Sequence, residues 1–369
     1  MGRKATFLYF HFISVLFTFA FAAFTIIVGI GSHNNPNQGF ILPLLGLGMM
    51  PLLFSNLIIF IYWSLRWKIW VLIPVIAIAA NHEYISAKYQ YPSNNQPPIA
   101  NNRLIKIASF NVESFHGYPS VYSVGEIKEL MKENQIDIFC LQEFSESSFF
   151  NVDSISNMFK DYPYASIHKS KKEGFNLVVY SKFPIENNAD IWFNSSDNSA
   201  MWVDIRVDNK LIRVFNCHLQ TTNFNQTRGL LAKVTLAGFY DSKKEAVKQI
   251  MLKMAVNAEK RAEQTDLICN IIDTTKHAMI LCGDLNDTPA SYSYYKIKGK
   301  LQDGFQSAGS GFESTFRYLH SLFRIDYIFH SKELTGRKYI TPSFDFSDHN
   351  PVIMELSVKK RRSNNIMTS

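Results

Sequence analysis

The sequence predicts an α+β protein, a sandwich of β-sheets flanked by helices, preceded by transmembrane helices. Charged residues make up 19% of the 369 residues, below the roughly 25% of average proteins. The deficit is local, because the first 85 residues hold only four basic residues and one acid. From about residue 103 onward, short apolar runs typical of strands are mixed with amphipathic helices. Composition excludes a disordered, collagen-like or disulfide-scaffold protein.

The N-terminal 90 residues are predicted to form a membrane anchor. Residues 7–30 and 40–65 carry no formal charge, and each run exceeds the roughly 20 residues that cross a bilayer. A weaker third run, 69–85, ends in the polar sequence Asn81–His82–Glu83. We expect two to three spans and favour three. A cleaved signal peptide is the alternative for the first run, but that run is too long and lacks an AxA-like site.

Basic flanks predict the orientation. Arg3 and Lys4 precede the first run, and Arg66 and Lys68 follow the second, so the positive-inside rule places both flanks in the cytoplasm. If residues 69–85 cross, the remainder of this integral membrane protein is extracytoplasmic; otherwise it is cytoplasmic. We expect the spans to hold no buried acid or base, with His11 as the exception, which argues against a transporter or channel.

The elements that follow can be assigned in order. A Pro/Asn-rich linker, 91–102, precedes a domain predicted to span 103–358, and a basic tail covers 359–369. The four cysteines lack CxxC spacing and are predicted to be free core thiols. Apolar periodicity predicts strands at 104–110, 136–141, 175–180, 201–207, 212–219, 278–282, 327–330 and 351–358, with helices at 124–134 and 242–273.

Polar side chains recur where predicted strands end. Carboxylates directly after buried strands are costly unless they are compensated, and a divalent cation such as Mg²⁺ or Mn²⁺ compensates them with the oxygen ligands it prefers. Each group alone has a bland explanation, such as a helix cap, a core histidine or a surface loop. Five groups in succession favour one site at a common sheet edge: Asn111, Gln142–Glu143, Asn216–His218, Asp284–Asn286 and Asp348–His349.

The motifs around these residues resemble the endonuclease/exonuclease/phosphatase, or DNase I-like, superfamily. They cover about residues 103 to 358 in the family's order, and the membrane spans lie outside them. The resemblance implies a four-layer α/β/β/α sandwich. The matching motifs are SFNVESF (109–115), LQEF (141–144), GFNLVVYSKFPI (174–185), NCHLQ (216–220), GDLNDTP (283–289), RIDYIF (324–329) and SDHNPV (347–352).

The resemblance also implies roles for individual residues. Asn111 and Glu143 would hold Mg²⁺ or Mn²⁺, with Asp348 completing or supporting the site. Asp284 would orient or deprotonate the attacking water, and Asn286 would donate hydrogen bonds to the phosphoryl group.

The remaining roles concern the phosphate and the leaving group. His349 would face the phosphate with its ring oriented by Asp326, and His218 would stabilise the phosphate or assist the leaving group. Arg324 would pair either with substrate phosphate or in a structural ion pair. The division of acid and base roles stays open at this point.

The substrate class also stays open. Nucleic acid, phospholipid or sphingomyelin, and sugar or inositol phosphates all suit the implied reaction, metal-dependent phosphoester hydrolysis. Outside the anchor, 34 basic and 30 acidic residues leave a net charge of +4, which is too mild to argue for a nuclease. No protein partner is indicated. The opposing class is an inactive, membrane-tethered binding protein, but it would be expected to have lost at least one of the polar residues named above.

Overall fold

The computed structural model describes residues 3–92, 102–170, 176–194, 196–222, 240–318 and 321–359. The chain forms two compact units. We call Met1–Ser86, Thr222–Ala262 and Thr288–Tyr295 the helical unit, and Ala87–Thr221, Glu263–Asp287 and Lys296–Ser369 the sheet unit. Most of the predicted linker, 91–102, and of the predicted tail, 359–369, lies outside the described residues.

The first helix is long and apolar enough to cross a membrane. It occupies Arg3–Gly31, and its apolar side chains are largely exposed. The second predicted span is divided at Leu47–Gly48 into a short helix and a 17-residue helix. The third is bent by 62° between Ile69–Ala80 and His82–Lys88. By length and composition the described residues therefore contain one spanning helix, or two if the bent pair counts as one span.

Two polar contacts fix the pairing of the long helices in the helical unit. Asn56 Nδ2 donates to Thr25 Oγ1 at 2.8 Å, and Trp63 Nε1 donates to Thr18 Oγ1 at 2.9 Å. Because the later residue of one helix meets the earlier residue of the other, the two helices are antiparallel. Described helices of the chain are α1 Arg3–Gly31, α2 Ile41–Gly46, α3 Met49–Leu65, α4 Leu72–Ala80, α5 His82–Lys88, α6 Val121–Glu133, α7 Val152–Met158, α8 Tyr240–Thr274, α9 Tyr292–Lys298 and α10 Gly304–Ala308.

The sheet unit contains two six-stranded sheets, which confirms the α+β class. The described strands are β1 Tyr89–Gln90, β2 Arg103–Asn111, β3 Ile138–Phe144, β4 Tyr164–His168, β5 Asn176–Ser181, β6 Ile185–Trp192, β7 Ser199–Val207, β8 Lys210–His218, β9 Ala278–Asp284, β10 Gln302–Asp303, β11 Gly311–Phe312, β12 Asp326–His330, β13 Leu334–Ile340 and β14 Val352–Val358. The first sheet has the order β13-β14-β2-β3-β5-β4 and the second β10-β12-β9-β8-β7-β6, while β1 pairs with β11.

The two sheets pack face to face around one apolar core. Ile107 of β2 and Ile138 of β3 meet Val203 of β7 and Ile280 of β9 in it, all fully buried. Alternate residues of these strands point the other way, since side chains alternate across a strand. The interior of the sandwich is therefore made by half the residues of every central strand.

Helices cover the outer faces of the sheets. Val124, Ile127 and Met131 of α6 pack on the outer face of the first sheet, against Phe110 and Phe139. On the second sheet, Gln264 of α8 accepts a hydrogen bond from Gln220 N at 2.8 Å, just beyond the end of β8. Helix, sheet, sheet and helix make the four layers that the motifs implied.

The segment that enters the sheet unit is bonded into it. Ala87 O accepts a hydrogen bond from Arg324 Nη1 at 2.9 Å, and Lys88 Nζ donates to the carbonyl oxygens of Glu313 and Leu322. The four residues Ala87–Gln90, inside the predicted anchor, thus make their contacts with the sheet unit.

Candidate active site

The polar strand ends meet at one edge of the sandwich. In the first sheet, Asn111 at the end of β2 lies level with Gln142, next to Glu143, because β2 and β3 are parallel. In the second sheet, β8 and β9 are parallel and bring His218 level with Asp284. Asp326 begins β12 opposite Asp284. The site is therefore shared between the two sheets.

Asn111 links the two halves of the site. Its Nδ2 donates to Glu143 Oε1 and to Asp284 Oδ2, each at 3.1 Å, and its side chain is almost fully buried. Its Oδ1 accepts a hydrogen bond from Glu113 N at 3.0 Å. One amide thus contacts a carboxylate from each sheet.

Glu143 stands at an irregularity in β3. The pairing with β5 shifts register between Leu141 and Phe144, and Glu143 has a positive φ of 51°. Such a backbone conformation is uncommon for a residue with a side chain and is concentrated at functional sites. Burial raises the pKa of the Glu143 carboxyl to about 7, and nearby Asp348 contributes in the same direction.

His349 and Asp326 form a close pair. His349 Nδ1 lies 2.8 Å from Asp326 Oδ2, and His349 Nε2 lies 3.8 Å from Asp284 Oδ2. Burial lowers the pKa of His349, but the carboxylates of Asp326 and Asp284 outweigh it and raise the pKa well above its usual value. The two carboxylates therefore favour the charged form of this imidazole.

The pKa of His218 is shifted in the opposite direction to that of His349. It is fully buried, with Nε2 3.5 Å from Glu143 Oε1 and 3.8 Å from Asp284 Oδ2. Burial lowers its pKa to about 3, and the charge of His349 adds to the effect. The site therefore holds two imidazoles whose pKa values are shifted in opposite directions.

Asp284 is fully enclosed by these groups. Burial and the charge of Asp326 raise the pKa of its carboxyl to about 8. Asn286, at a positive φ of 50°, donates its main-chain N–H to Asp284 Oδ1 at 2.7 Å and its side-chain amide to Leu219 O at 3.2 Å. Asn286 therefore holds Asp284 in place through the turn that follows β9.

Asp348 lies on the loop before β14 and is held from the first sheet. Its main-chain N–H donates to Glu113 Oε2 at 3.0 Å, and its Oδ1 is 3.7 Å from His349 Nε2. Glu113 opens a turn, Glu113–Gly117, in which every φ is positive. Burial raises the pKa of Glu113, as does the charge of Asp348.

Arg324 pairs with a carboxylate that is not part of this cluster. It is fully buried and makes two hydrogen bonds to the Asp303 carboxylate, at 2.7 and 2.6 Å. Its guanidinium also lies 4.6 Å from the centre of the Tyr327 ring. This is the structural ion pair considered as the alternative to phosphate binding, so we do not propose Arg324 as a substrate contact.

Two supporting side chains were not singled out from the sequence, and a third, Asn216, was named only as part of the group Asn216–His218. Ser347 Oγ donates to Asn111 O at 2.7 Å and accepts from His349 N at 3.1 Å. Thr315 Oγ1 accepts from Asp326 N at 3.0 Å. Asn216 Oδ1 accepts from Gln142 Nε2 at 2.7 Å inside the sandwich. Only Asn216 carried a signal, as a polar residue in an apolar strand.

The residues present suit a divalent cation. Asp284, Asp326 and His349 each offer a ligand atom, and these atoms lie within 4.8 Å of one another. Asp326 Oδ1 is buried with no hydrogen-bond partner among the described residues. Together with Glu143 and Asn111, the site supplies the carboxylate and amide oxygens that bind Mg²⁺ and Mn²⁺.

Comparison with known families agrees with this geometry. The model of the endonuclease/exonuclease/phosphatase family matches residues 108–349, which contain every site residue described above. The chain belongs to the endonuclease/exonuclease/phosphatase family. A second model, a domain of unknown function (DUF8431), matches residues 10–87. No match was found among curated proteins.

Solved structures of endonuclease/exonuclease/phosphatase proteins share the fold. A family protein from Bacteroides thetaiotaomicron is 17% identical, with a TM-score of 0.50, and the match covers 70% of this chain and 100% of that one. A protein from Beutenbergia cavernae is 18% identical, with a TM-score of 0.51, covering 69% and 72%. One from Leptotrichia buccalis is 16% identical, with a TM-score of 0.50, covering 68% and 99%.

Proposed function

We propose that this protein is a membrane-anchored, divalent-metal-dependent phosphoesterase that hydrolyses phosphodiester or phosphomonoester bonds by attack of water. The observation that carries the proposal is the convergence of Asn111 and Glu143 from one sheet with His218, Asp284 and Asp326 from the other. His349 completes the group through its contact with Asp326. Structural roles alone do not explain two buried carboxylates, Asp284 and Asp326, beside the partly buried Glu143, since a carboxylate is costly to bury.

Asn111 and Glu143 would hold Mg²⁺ or Mn²⁺, with Asp348 beside them. When bound, the ion neutralises a phosphoryl oxygen and the charge that develops on it in the transition state. The donor set is dominated by oxygen, which suits these hard cations rather than a thiolate-binding metal.

The protein's own residues divide the remaining work. Asp284, buried between Asn111 and Asn286, orients the attacking water and accepts its proton. His349, oriented by Asp326 and with its pKa raised by the neighbouring carboxylates, faces the phosphate and stabilises its negative charge. The second amide hydrogen of Asn286 remains for the phosphoryl group, and neutral His218 lies next to Glu143 and Asp284 to assist the leaving group.

The helical unit supports anchoring and an extracytoplasmic catalytic domain. Because α1 and α3 are antiparallel, Arg3 and Lys4 lie at the same end of the pair as Arg66 and Lys68. Asn81, at the end of α4, contacts Gly29 near the other end of α1. The positive-inside rule then places the basic end in the cytoplasm and the chain beyond Asn81 outside it.

The test is hydrolysis by the full-length protein in detergent, with Mg²⁺ or Mn²⁺ and with chelator. A panel of a generic phosphodiester, a phosphomonoester, single-stranded and duplex DNA, and sphingomyelin separates the substrate classes. We expect metal-dependent turnover that Asp284→Asn abolishes while the protein stays folded. We also expect Glu143→Gln to raise the Mg²⁺ concentration needed for half-maximal rate.

The opposing hypothesis, an inactive binding protein, makes the opposite prediction. It requires that no member of the panel is turned over and that both substitutions leave ligand binding unchanged. Turnover that persists in chelator, or in Asp284→Asn, would show that the site has been assigned incorrectly.

A further inference from the structure

The first half of α8 exposes an apolar surface to solvent. Val247, Met251, Leu252 and Val256 are 45 to 48% exposed. Val247 and Met251 lie one turn apart, as do Leu252 and Val256, so each pair forms a continuous patch along the helix. The opposite side of the helix is buried through Ala246 and Asn257. We call these four residues the α8 patch.

Lysines border the α8 patch. Four lysines and one acid lie between residues 243 and 256. Lys244, Lys248 and Lys253 are exposed, and Glu245 is the acid. Long lysine side chains can cover apolar surface with their methylene groups while the ammonium stays in water. A surface that mixes exposed apolar groups with lysines suits the boundary between anionic headgroups and acyl chains.

The α8 patch lies at one defined end of the helical unit. Phe40, in the connection that follows α1, lines an open groove together with Lys244, Val247 and Met251. This connection is at the end of α1 opposite Arg3 and Lys4. A helix of 29 residues is roughly 44 Å long, against about 30 Å of hydrocarbon core, so both its ends reach the headgroup region.

We propose that the first half of α8 lies on the surface of the bilayer, with the α8 patch inserted among the lipids at the headgroup boundary. The proposal rests on the membrane anchoring proposed above and adds a second, peripheral contact. Its occupant is a bilayer with anionic headgroups, because the lysines outnumber the acid and because the groove is shared with Phe40 at the end of the anchor.

The experiment uses the full-length protein in phosphatidylcholine vesicles, with and without phosphatidylglycerol. The four native cysteines are buried, so single cysteines introduced at exposed positions can be labelled selectively. Met251→Cys reports on the α8 patch, and Leu16→Cys, at a 59% exposed position on α1, reports on the anchor. Each carries an environment-sensitive fluorophore and is tested with nitroxide-labelled lipids and with aqueous iodide.

We expect nitroxide lipids to quench most of the emission at both sites and iodide to quench little at either. Quenching by nitroxide at Leu16→Cys but only by iodide at Met251→Cys would overturn the inference and leave the anchor intact. Quenching by iodide alone at both Leu16→Cys and Met251→Cys would overturn the membrane anchoring as well as the inference. Protection of Met251→Cys from both quenchers would mean that protein covers the patch, which also overturns the inference.

A charge variant tests the second part of the proposal. Replacing Lys244→Glu and Lys248→Glu should reduce nitroxide quenching at Met251→Cys in vesicles that contain phosphatidylglycerol. Lys132→Glu, at an exposed lysine on α6, is the matched control and should leave the quenching unchanged. Equal nitroxide quenching in the charge variant and the control would show that the contact does not depend on anionic headgroups, which overturns this part of the proposal.

Discussion

At the scale of single residues, the contact between Asp326 and His349 is the largest electrostatic contribution that raises the pKa of His349. Asp326→Asn keeps the shape of the side chain but removes the carboxylate 2.8 Å from His349 Nδ1. The pKa of His349 should fall, because that carboxylate is the largest of the groups that raise it. We expect kcat to fall by about two to four orders of magnitude, the range typical of general acid–base and electrostatic groups.

The measurement is kcat and KM over a range of pH, together with the thermal midpoint. The chain offers a matched control in His168 and Asp190, whose side chains are also 2.8 Å apart but on β4 and β6. Asp190→Asn should leave kcat unchanged. An unaltered kcat in Asp326→Asn would contradict the role given to His349.

The buried ion pair between Arg324 and Asp303 leads to a prediction about stability rather than catalysis. Removing one partner of a buried ion pair leaves the other uncompensated, so Arg324→Met should lower the free energy of unfolding by about 3–5 kcal/mol. The double variant Arg324→Met, Asp303→Leu should recover part of this loss, since no buried charge is left alone. Denaturant unfolding measures both. A folded Arg324→Met with unchanged stability and a raised KM would instead support a phosphate contact.

Residues of the site differ in how far the sequence could predict them. Asp284 and His349 stand out because a charged or imidazole side chain at the end of an apolar strand is unusual. Ser347 and Thr315 carry no such signal, because hydroxyl side chains are common in loops and their partners are main-chain groups. The partner of Arg324 was equally invisible, since Asp303 is 21 residues away in the chain.

At the scale of elements, β9 depends on a glycine directly before the site. Gly283 has a φ of 149°, and a Cβ placed there would stand 2.0 Å from Cys217 O of the neighbouring β8. A main-chain atom cannot move aside as a flexible side chain could. Gly283→Ala should therefore separate β8 from β9 and displace His218 from Asp284.

We expect Gly283→Ala to lose activity and to lower the thermal midpoint together. Gly117→Ala is the control: it also has a positive φ, of 83°, but a Cβ there would meet nothing within 4 Å. Its cost should be limited to backbone strain of about 1–2 kcal/mol. Full activity in Gly283→Ala would mean that the two strands can separate without disturbing the site.

Helices and strands could be predicted from the sequence where the hydrophobic periodicity is strong. Short breaks within a helical run were harder to predict. The sequence predicted a helix over 242–273, and the structure has Tyr240–Thr274. The strands predicted at 201–207 and 212–219 are confirmed by β7 and β8, which pair as a hairpin. The break at Leu47–Gly48 was missed, because hydropathy averaged over a long uncharged run does not register a local kink.

At the scale of the whole molecule, the start of the sheet unit yields a prediction about truncation. A chain that begins at Ala87 keeps the carbonyl that Arg324 bonds, the Lys88 ammonium and the pairing of β1 with β11. A chain that begins at Asn102 loses all three. Its thermal midpoint should be several degrees lower, since each kcal/mol is worth about 2–4 °C in a domain of this size.

Lys88→Met in the longer chain should account for part of the difference, because it removes the ammonium and leaves β1 in place. Scanning calorimetry of the three proteins measures the effect. Equal midpoints for the two truncated chains would show that Ala87–Gln90 do not contribute to the stability of the sheet unit.

The division of the site between two sheets also has a consequence for how the protein matures. Asn111 and Glu143 belong to one sheet, and His218, Asp284 and Asp326 to the other, joined through the interior by Gln142 and Asn216. A partly folded chain with both sheets formed but not yet docked has no working site. The recovery of turnover during refolding would therefore report when the two sheets dock. Backbone spectroscopy reports strand formation and does not follow this later step.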